Sequence, residues 1–422
     1  MPVDFTLTRE QLAAREAMRD FALTHLSGVA AAIAPFDTPE QRVGAIKPFF
    51  REMVRAGFMK SIIPEEDGGT YRGLLDMVIS GEEASLGDVN VTCALFSCAL
   101  ALSPIISHGT PAQREKFLAP FLTDDGAPLA ALAFSEVGGT ANFDDPDPSS
   151  GSQTFAYRDG DEWVISGEKF FITNGWGWEG EGADLFVVSA RTDPSAPAAE
   201  SLAIFAVPRP TRGLSFGKGL DTMGHRATPS PRIRFDEVRV PLENMIGKPG
   251  DGVQILAQTF AGSGVGVAAE AVCVMRQAFE AALAFAKSDR RNGSVPIIEH
   301  QNVGYMLADM KMRLEASRYL TWKAAHYFDT TQGEGTELAV MAKVYCSEQA
   351  VQVVYDAMRL VGIESYADEM PFARLLQDAV AFPLYDGGNM GIRRRALHRT
   401  LAGAGYDHLA ACEGRAPARS GS

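Results

Sequence analysis

Residues 167–188 read GEKFFITNGWGWEGEGADLFVV. Gly175, Gly177 and Gly180 fit G-x-G-x-x-G by letter, and strand-forming residues precede them. A dinucleotide fingerprint needs a helix to open at the glycines, because the first N–H groups of that helix hold the pyrophosphate. The next residues, EGADLFVV, are strand-forming again. The doubly wound sheet is set aside, and the stretch becomes a turn within a run of short strands.

That run extends in both directions, from about Ala127 to Pro241. Strands are expected at 129–134, 154–157, 163–165, 170–173, 185–190, 202–207, 214–216 and 231–240, separated by DG, GG, GWG and proline-rich turns. Short strands with no helices between them predict a β-barrel or sandwich. Both flanks change period. Thr8 is placed to cap a helix in which Ala14, Ala17, Met18, Phe21 and Ala22 form an apolar face, and 46–57 is a second helical run. From Gly250 to about Leu401 the pattern is helical again. Residues 268–287 are alanine-rich, and further long runs begin near Glu299, Glu337 and Pro371. The fold class is therefore α+β. Residues 1–127 form an N-terminal helical domain, 128–241 a middle β domain, 242–403 a C-terminal four-helix bundle, and 404–422 a flexible tail.

The chain has 422 residues, 46% of them hydrophobic, with a formal net charge of −14. That charge argues against sequence-independent binding to nucleic acid and docking on anionic membranes, both of which need basic faces. Five cysteines, Cys93, Cys98, Cys273, Cys346 and Cys412, include no C-x-x-C pair and read as buried thiols. No secretory signal and no uncharged apolar stretch of ~18 residues is expected, so a cytoplasmic protein is the default. No P-loop, H-E-x-x-H or G-x-S-x-G motif occurs, and the seven histidines show no ligand spacing, so no metal is expected.

What remains is an ordered series: LAFSEVGGTANF at 132–143, GEKFFITNG at 167–175, SDRRNGSVPIIEHQNVGYMLADMK at 288–311 and PFARLLQDAVAFPLYDGGNMGIRR at 371–394. Together with the α–β–α order, it resembles the acyl-CoA dehydrogenase superfamily over nearly the whole chain. Within that superfamily the likeness is greatest to the nitroalkane oxidases, carried by AKSDRRNGSVPIIEHQ, RLEASRYLTWKA and FPLYDGGN.

The resemblance implies FAD bound between the β domain and the bundle. Phe134, Ser135, Thr140 and Ala141 would meet the flavin from the first β-domain loop. Phe171 and Thr173 would lie beside its ring, as a flat ring requires an apolar face and a few donors. Phe171 as a plain core strand residue is the alternative. Arg290 or Arg291 would meet the diphosphate, with Gln301 on the next helix; exposed solvated arginines are the alternative. The family's R-x-x-F-G is replaced here by Arg291-Asn292-Gly293-Ser294. Its glycine-rich Q-x-x-G-G-x-G, supplied by a neighbouring subunit, corresponds to Arg359 through Ser365, of which only Gly362 keeps the glycine character.

Asp386, in Tyr385-Asp386-Gly387-Gly388-Asn389, falls where many family members carry a glutamate base. A carboxylate suits removal of a proton from carbon beside an electron-withdrawing group, and Gly387 and Gly388 let the chain pass close to flavin and substrate. An Asp-Gly surface turn is the alternative. Arg393, seven residues on, would hold Asp386 ionised, and Ser263 would support it or else cap a helix.

The implied reaction is oxidation of a neutral nitroalkane to an aldehyde or ketone, releasing nitrite and hydrogen peroxide. Asp386 would be the α-proton base, flavin N5 the carbanion acceptor and molecular oxygen the oxidant. The alternatives are an acyl-CoA or acyl-carrier-protein thioester α,β-dehydrogenase served by electron transfer flavoprotein, and a non-catalytic flavin-binding scaffold. The family also implies a homotetramer of paired dimers.

Overall fold

The computed structural model describes residues 6–417. The N-terminal α-helices are Arg9–Phe21, Val29–Ile33, Pro39–Arg55, Leu74–Ala84, Val89–His108 and Pro111–Leu118. Thr8 caps the first in a reciprocal box, its hydroxyl accepting from the Gln11 N–H while the Gln11 side chain accepts from the Thr8 N–H, both at 3.1 Å. The buried face of that helix differs from the expected one. Met18 and Ala22 are buried, but Ala14 and Ala17 face out, and Arg15 and Arg19 turn inward to Glu83. A charged partner beneath the helix redirects it more strongly than alanine does.

Two helices, Val89–His108 and Gly252–Ser288, are long and apolar enough to cross a membrane by length and composition. That corrects the expectation that no such stretch exists. Both are mostly buried within the protein, the first against β1 and the long helix.

The middle domain is one sheet of eight strands: β1 (Ala130–Ala133), β2 (Phe155–Asp159), β3 (Glu162–Lys169), β4 (Leu185–Arg191), β5 (Leu202–Pro208), β6 (Leu214–Phe216), β7 (Ile233–Pro241) and β8 (Met245–Ile246). They run in the order β6-β7-β3-β2-β4-β5-β8, with β1 parallel to β4. β2 and β4 meet through a single pair, Phe155 with Arg191, so the sheet divides into two four-stranded halves. Strand β4 comes directly after the glycine turn. The strand expected at 170–173 is absent: after β3 the chain turns, with Phe171 at φ +57°. In that turn a Cβ at Gly177 would strike the Gly182 carbonyl oxygen, and one at Gly175 would meet the Ile233 side chain and the Ile172 carbonyl oxygen.

Three long helices, Gly252–Ser288, Gln301–Thr330 and Glu337–Val361, build the C-terminal domain. The fourth member is broken. A short helix, Phe372–Ala379, gives way to turns through 388, then a π-type turn, Asn389–Arg393, before Arg394–Ala402. Pro383 and the adjacent Gly387 and Gly388 account for the interruption, since neither residue type sustains a helix.

A buried ion network ties the two helical domains together. Arg276 of the long helix donates to Glu83, and Arg318 of the next helix donates to Glu82 at 2.8–3.2 Å. The segment after 403 is less free than its composition predicts. Ala410 and Ala411 are buried, and the Tyr327 hydroxyl donates to the Arg415 carbonyl at 2.7 Å. The remainder of the expected tail, 418–422, lies outside the described residues. All five cysteines are free, four of them buried, while Cys412 is exposed, contrary to expectation.

Candidate active site

The broken fourth helix presents Asp386 at φ +52°, a left-handed backbone that costs a non-glycine residue about 1–2 kcal/mol. Several contacts hold it there. The Ser263 hydroxyl donates to Oδ1 at 2.7 Å, and Arg393 Nη2 donates to Oδ2 at 2.7 Å. Arg393 also grips the backbone: Nη2 donates to the Asp386 carbonyl at 2.7 Å, Nε to the carbonyls of Asp386 and Gly387, and Nη1 to the Phe260 carbonyl at 2.6 Å. The guanidinium is 2% exposed and the Asp386 side chain 4%. Each carboxylate oxygen accepts one bond from these partners and keeps a lone pair for another. The surface-turn reading of Asp386 fails on this burial.

Ser263 is inside the helix Gly252–Ser288, eleven residues past its start, so it is not an entry cap. It lies one turn beyond Phe260, whose carbonyl accepts from both Ser263 and Arg393. Gly264 beside it leaves room for the guanidinium, since a Cβ there would stand 3.0 Å from Nη1 and Nη2.

The β domain docks its first loop on the same region. The Phe134 ring meets Phe260 edge-on at 5.0 Å, Ala141 lies against Gly391, and Arg395 donates to Asn142 and Asp144. A buried clamp shapes that loop. Lys169 donates to Glu136 at 2.9 Å, to the Phe134 carbonyl and to Ser189, while Ser152 and the Gln153 N–H also donate to Glu136. Burial pushes the Glu136 carboxyl up, but Lys169 and these donors outweigh it and hold it at about 2. The Ser135 carbonyl accepts from the Phe170 N–H, which joins the loop to the turn bearing Phe171 and Thr173. Thr140 is buried, Thr173 half-buried, and Phe171 is 58% exposed, so it is not a core strand residue. Leu384 and Met390, flanking the base, are exposed as well. An apolar ring and the glycine turn Gly387–Gly388 thus stand at the junction of the two domains, a setting that fits a planar cofactor.

The remaining predicted residues gather elsewhere. Arg291 donates to Glu364 at 2.6 Å and to the Val361 carbonyl, beside Gly362 at φ +76°. Arg290 folds back on the Ser294 carbonyl, Gln301 bonds Tyr305, and Arg359 reaches Asp356 at 3.2 Å. All four of these side chains are exposed or on the rim, near the far end of the long helix. Between Ser263 and the helix end at Ser288 lie 25 residues, about 37 Å at 1.5 Å per residue.

Sequence reasoning missed two buried groups around the base. Glu270, two turns along the helix from Ser263, accepts from Thr92 at 3.2 Å and from the Tyr385 hydroxyl at 3.3 Å. Burial pushes its carboxyl up to about 8, and burial with Glu270 pushes the Tyr385 phenol well up. Lys343, wholly buried, donates to the Phe382 carbonyl and to Asn389 Oδ1, both at 2.8 Å. The period-seven spacing of Ser263 and Glu270 was the only signal for the first; nothing local marked the second.

Three domain families match consecutive parts of this chain: acyl-CoA dehydrogenase N-terminal domain over 8–125, middle domain over 131–238 and C-terminal domain over 250–402. Nitroalkane oxidase of Fusarium oxysporum is 40% identical over 98% of this chain and 98% of its own length. The mitochondrial short-chain specific acyl-CoA dehydrogenase of Bos taurus is 33% identical, covering 88% of this chain and 85% of its own. A solved nitroalkane oxidase, an aspartate-to-asparagine active-site mutant crystallized with 1-nitrooctane, superposes with a TM-score of 0.94 at 40% identity, covering 98% of this chain and all of that one.

Proposed function

The chain belongs to the acyl-CoA dehydrogenase family of FAD-dependent flavoproteins, and on that premise we propose that it oxidises neutral nitroalkanes. The observation that carries the reading is the buried carboxylate of Asp386, fixed by Ser263 and Arg393 at the domain junction. The 40% identity to a nitroalkane oxidase over nearly the full length supports the substrate class.

A nitro group withdraws electrons from its α-carbon, so a carboxylate suffices to take the α-proton. Asp386 performs that step with a free lone pair. Ser263 and Arg393 are positioning residues: they fix both carboxylate oxygens and leave the base one orientation. Phe134, Ser135, Thr140, Ala141, Phe171, Thr173, Gly387 and Gly388 would hold the flavin ring. FAD held there would supply a two-electron acceptor that dioxygen can reoxidise. The net reaction takes nitroalkane, dioxygen and water to an aldehyde or ketone, nitrous acid and hydrogen peroxide.

Assay of nitrite and peroxide against 1-nitroalkane consumed tests this, with equimolar release expected. Flavin reduction by a short acyl-CoA, with no nitrite from any nitroalkane, would assign the chain to thioester dehydrogenation instead.

We also infer that the chain works as a homo-oligomer. Arg291 and Gly362, linked through the Val361 carbonyl, lie beyond the far end of the long helix, whose stretch from Ser263 to Ser288 is about 37 Å. They would serve the FAD of a neighbouring copy, with Arg291 rather than Arg290 at the diphosphate.

A further inference from the structure

The helix Glu337–Val361 runs beneath the break that carries the base. From it, the Lys343 ammonium donates at 2.8 Å to the Phe382 carbonyl and at 2.8 Å to Asn389 Oδ1. Those two residues bracket 382–389. Asn389 in turn donates through Nδ2 to Ser347 at 3.0 Å and Glu348 at 3.1 Å, and through its backbone N–H to the Pro383 carbonyl at 2.9 Å. One ammonium therefore closes both ends of the loop from below, while Arg393 grips its middle from the other side.

An apolar side chain would fill the same space without the cost of burying an ion, which is several kcal/mol even after relaxation. The ammonium must be justified by what it holds, and what it holds is the left-handed turn at Asp386. The charged groups that face it are Asp386 and Arg393 from the broken helix and Glu348 from its own helix; Glu348 is shared with Arg394. Burial, then Arg393, pulls the ammonium down to about 7, and Asp386 and Glu348 oppose that.

We infer that Lys343 is a positioning residue for the base: through Phe382 and Asn389 it closes the loop that presents Asp386. The inference rests on the reading of Asp386 as the α-proton base.

The test is anaerobic stopped-flow reduction of flavin-replete enzyme by a neutral 1-nitroalkane between pH 5 and pH 9. Lys343→Met is expected to lower the limiting reduction rate about tenfold or more, with substrate affinity changed less than about threefold. A purely structural lysine would change yield or thermal stability and leave the limiting reduction rate in place. Should Lys343→Met not fold, Asn389→Ala removes one end of the closure and is expected to slow the limiting rate severalfold. A flavin-replete Lys343→Met with wild-type rate, or Asn389→Ala with wild-type rate, overturns the inference. Asp386→Asn is run alongside. Its reduction at the wild-type rate would overturn the base assignment and this inference together, whereas its loss beside an unaltered Lys343→Met overturns this inference alone.

Discussion

At Gly264, one methyl group is enough to reach the pair that holds the base. Its Cβ would fall 3.0 Å from both terminal nitrogens of Arg393, which is wholly enclosed and already bonded to three carbonyls. Gly264→Ala is expected to slow flavin reduction about tenfold while flavin binding, followed by visible absorbance, stays at the wild-type level. An unchanged rate would mean that Arg393 tolerates displacement. The sequence made Asp386 and Arg393 legible because they fall in a segment of a series that resembles a family in order; Ser263, outside those segments, was reached only through the resemblance. Lys343 and Glu270 escaped because each sits within a regular helical run, where a charged residue ordinarily faces water. Only tertiary packing, with Phe382 and Asn389 over one and Thr92 and Tyr385 over the other, turns them inward. Of the two arginines proposed for the diphosphate, no local pattern separated Arg290 from Arg291; folded, Arg290 turns back on Ser294 while Arg291 reaches Val361 and Glu364.

Among the elements, the helix Leu74–Ala84 carries the joint between the helical domains through Glu82 and Glu83. Burial pushes Glu83 up, but bonds from Arg19, Arg276 and Arg15 outweigh it and hold it at about 2. Against an unfolded value of about 4.3, this carboxylate contributes ~3 kcal/mol above that pH, lost as pH falls toward 2. Glu83→Gln leaves its arginines facing one another and is expected to cost about 3–5 kcal/mol at neutral pH. In thermal denaturation series, the gap between wild type and variant should close as pH is lowered through 4; a gap constant with pH would show that its charge is not what matters. Element types were readable from period and composition, as in β4 and β5 or the helices beginning at Gln301 and Glu337. Two were not. Residues 170–173 carry strand-forming side chains but turn at Phe171, and the fourth bundle helix breaks at Pro383 and Gly387–Gly388. Both departures from local propensity fall at the proposed flavin and base positions, where function overrides regular structure.

On the scale of the whole molecule, the α–β–α order was visible in the switch of hydrophobic period near 127 and again near 250. Its closing geometry was not, because the apposition of loop 134–144 to 389–399 depends on contacts hundreds of residues apart, such as Arg395 to Asp144. The same geometry separates Arg291 and Gly362 from the base along one chain. Sedimentation equilibrium is therefore expected to give a multiple of 45.4 kDa, and Arg291→Ala to weaken FAD retention on dilution. A monomer that keeps its flavin would contradict the shared site. The most direct test of the central claim is anaerobic mixing of the FAD-loaded protein with neutral 1-nitrooctane, wild type beside Asp386→Asn, watching flavin absorbance. Rapid bleaching of the wild type is expected, with bleaching slowed by about 10²–10⁴-fold in the variant, which still binds flavin. Equal bleaching of both, or none of the wild type by any nitroalkane, would contradict the claim.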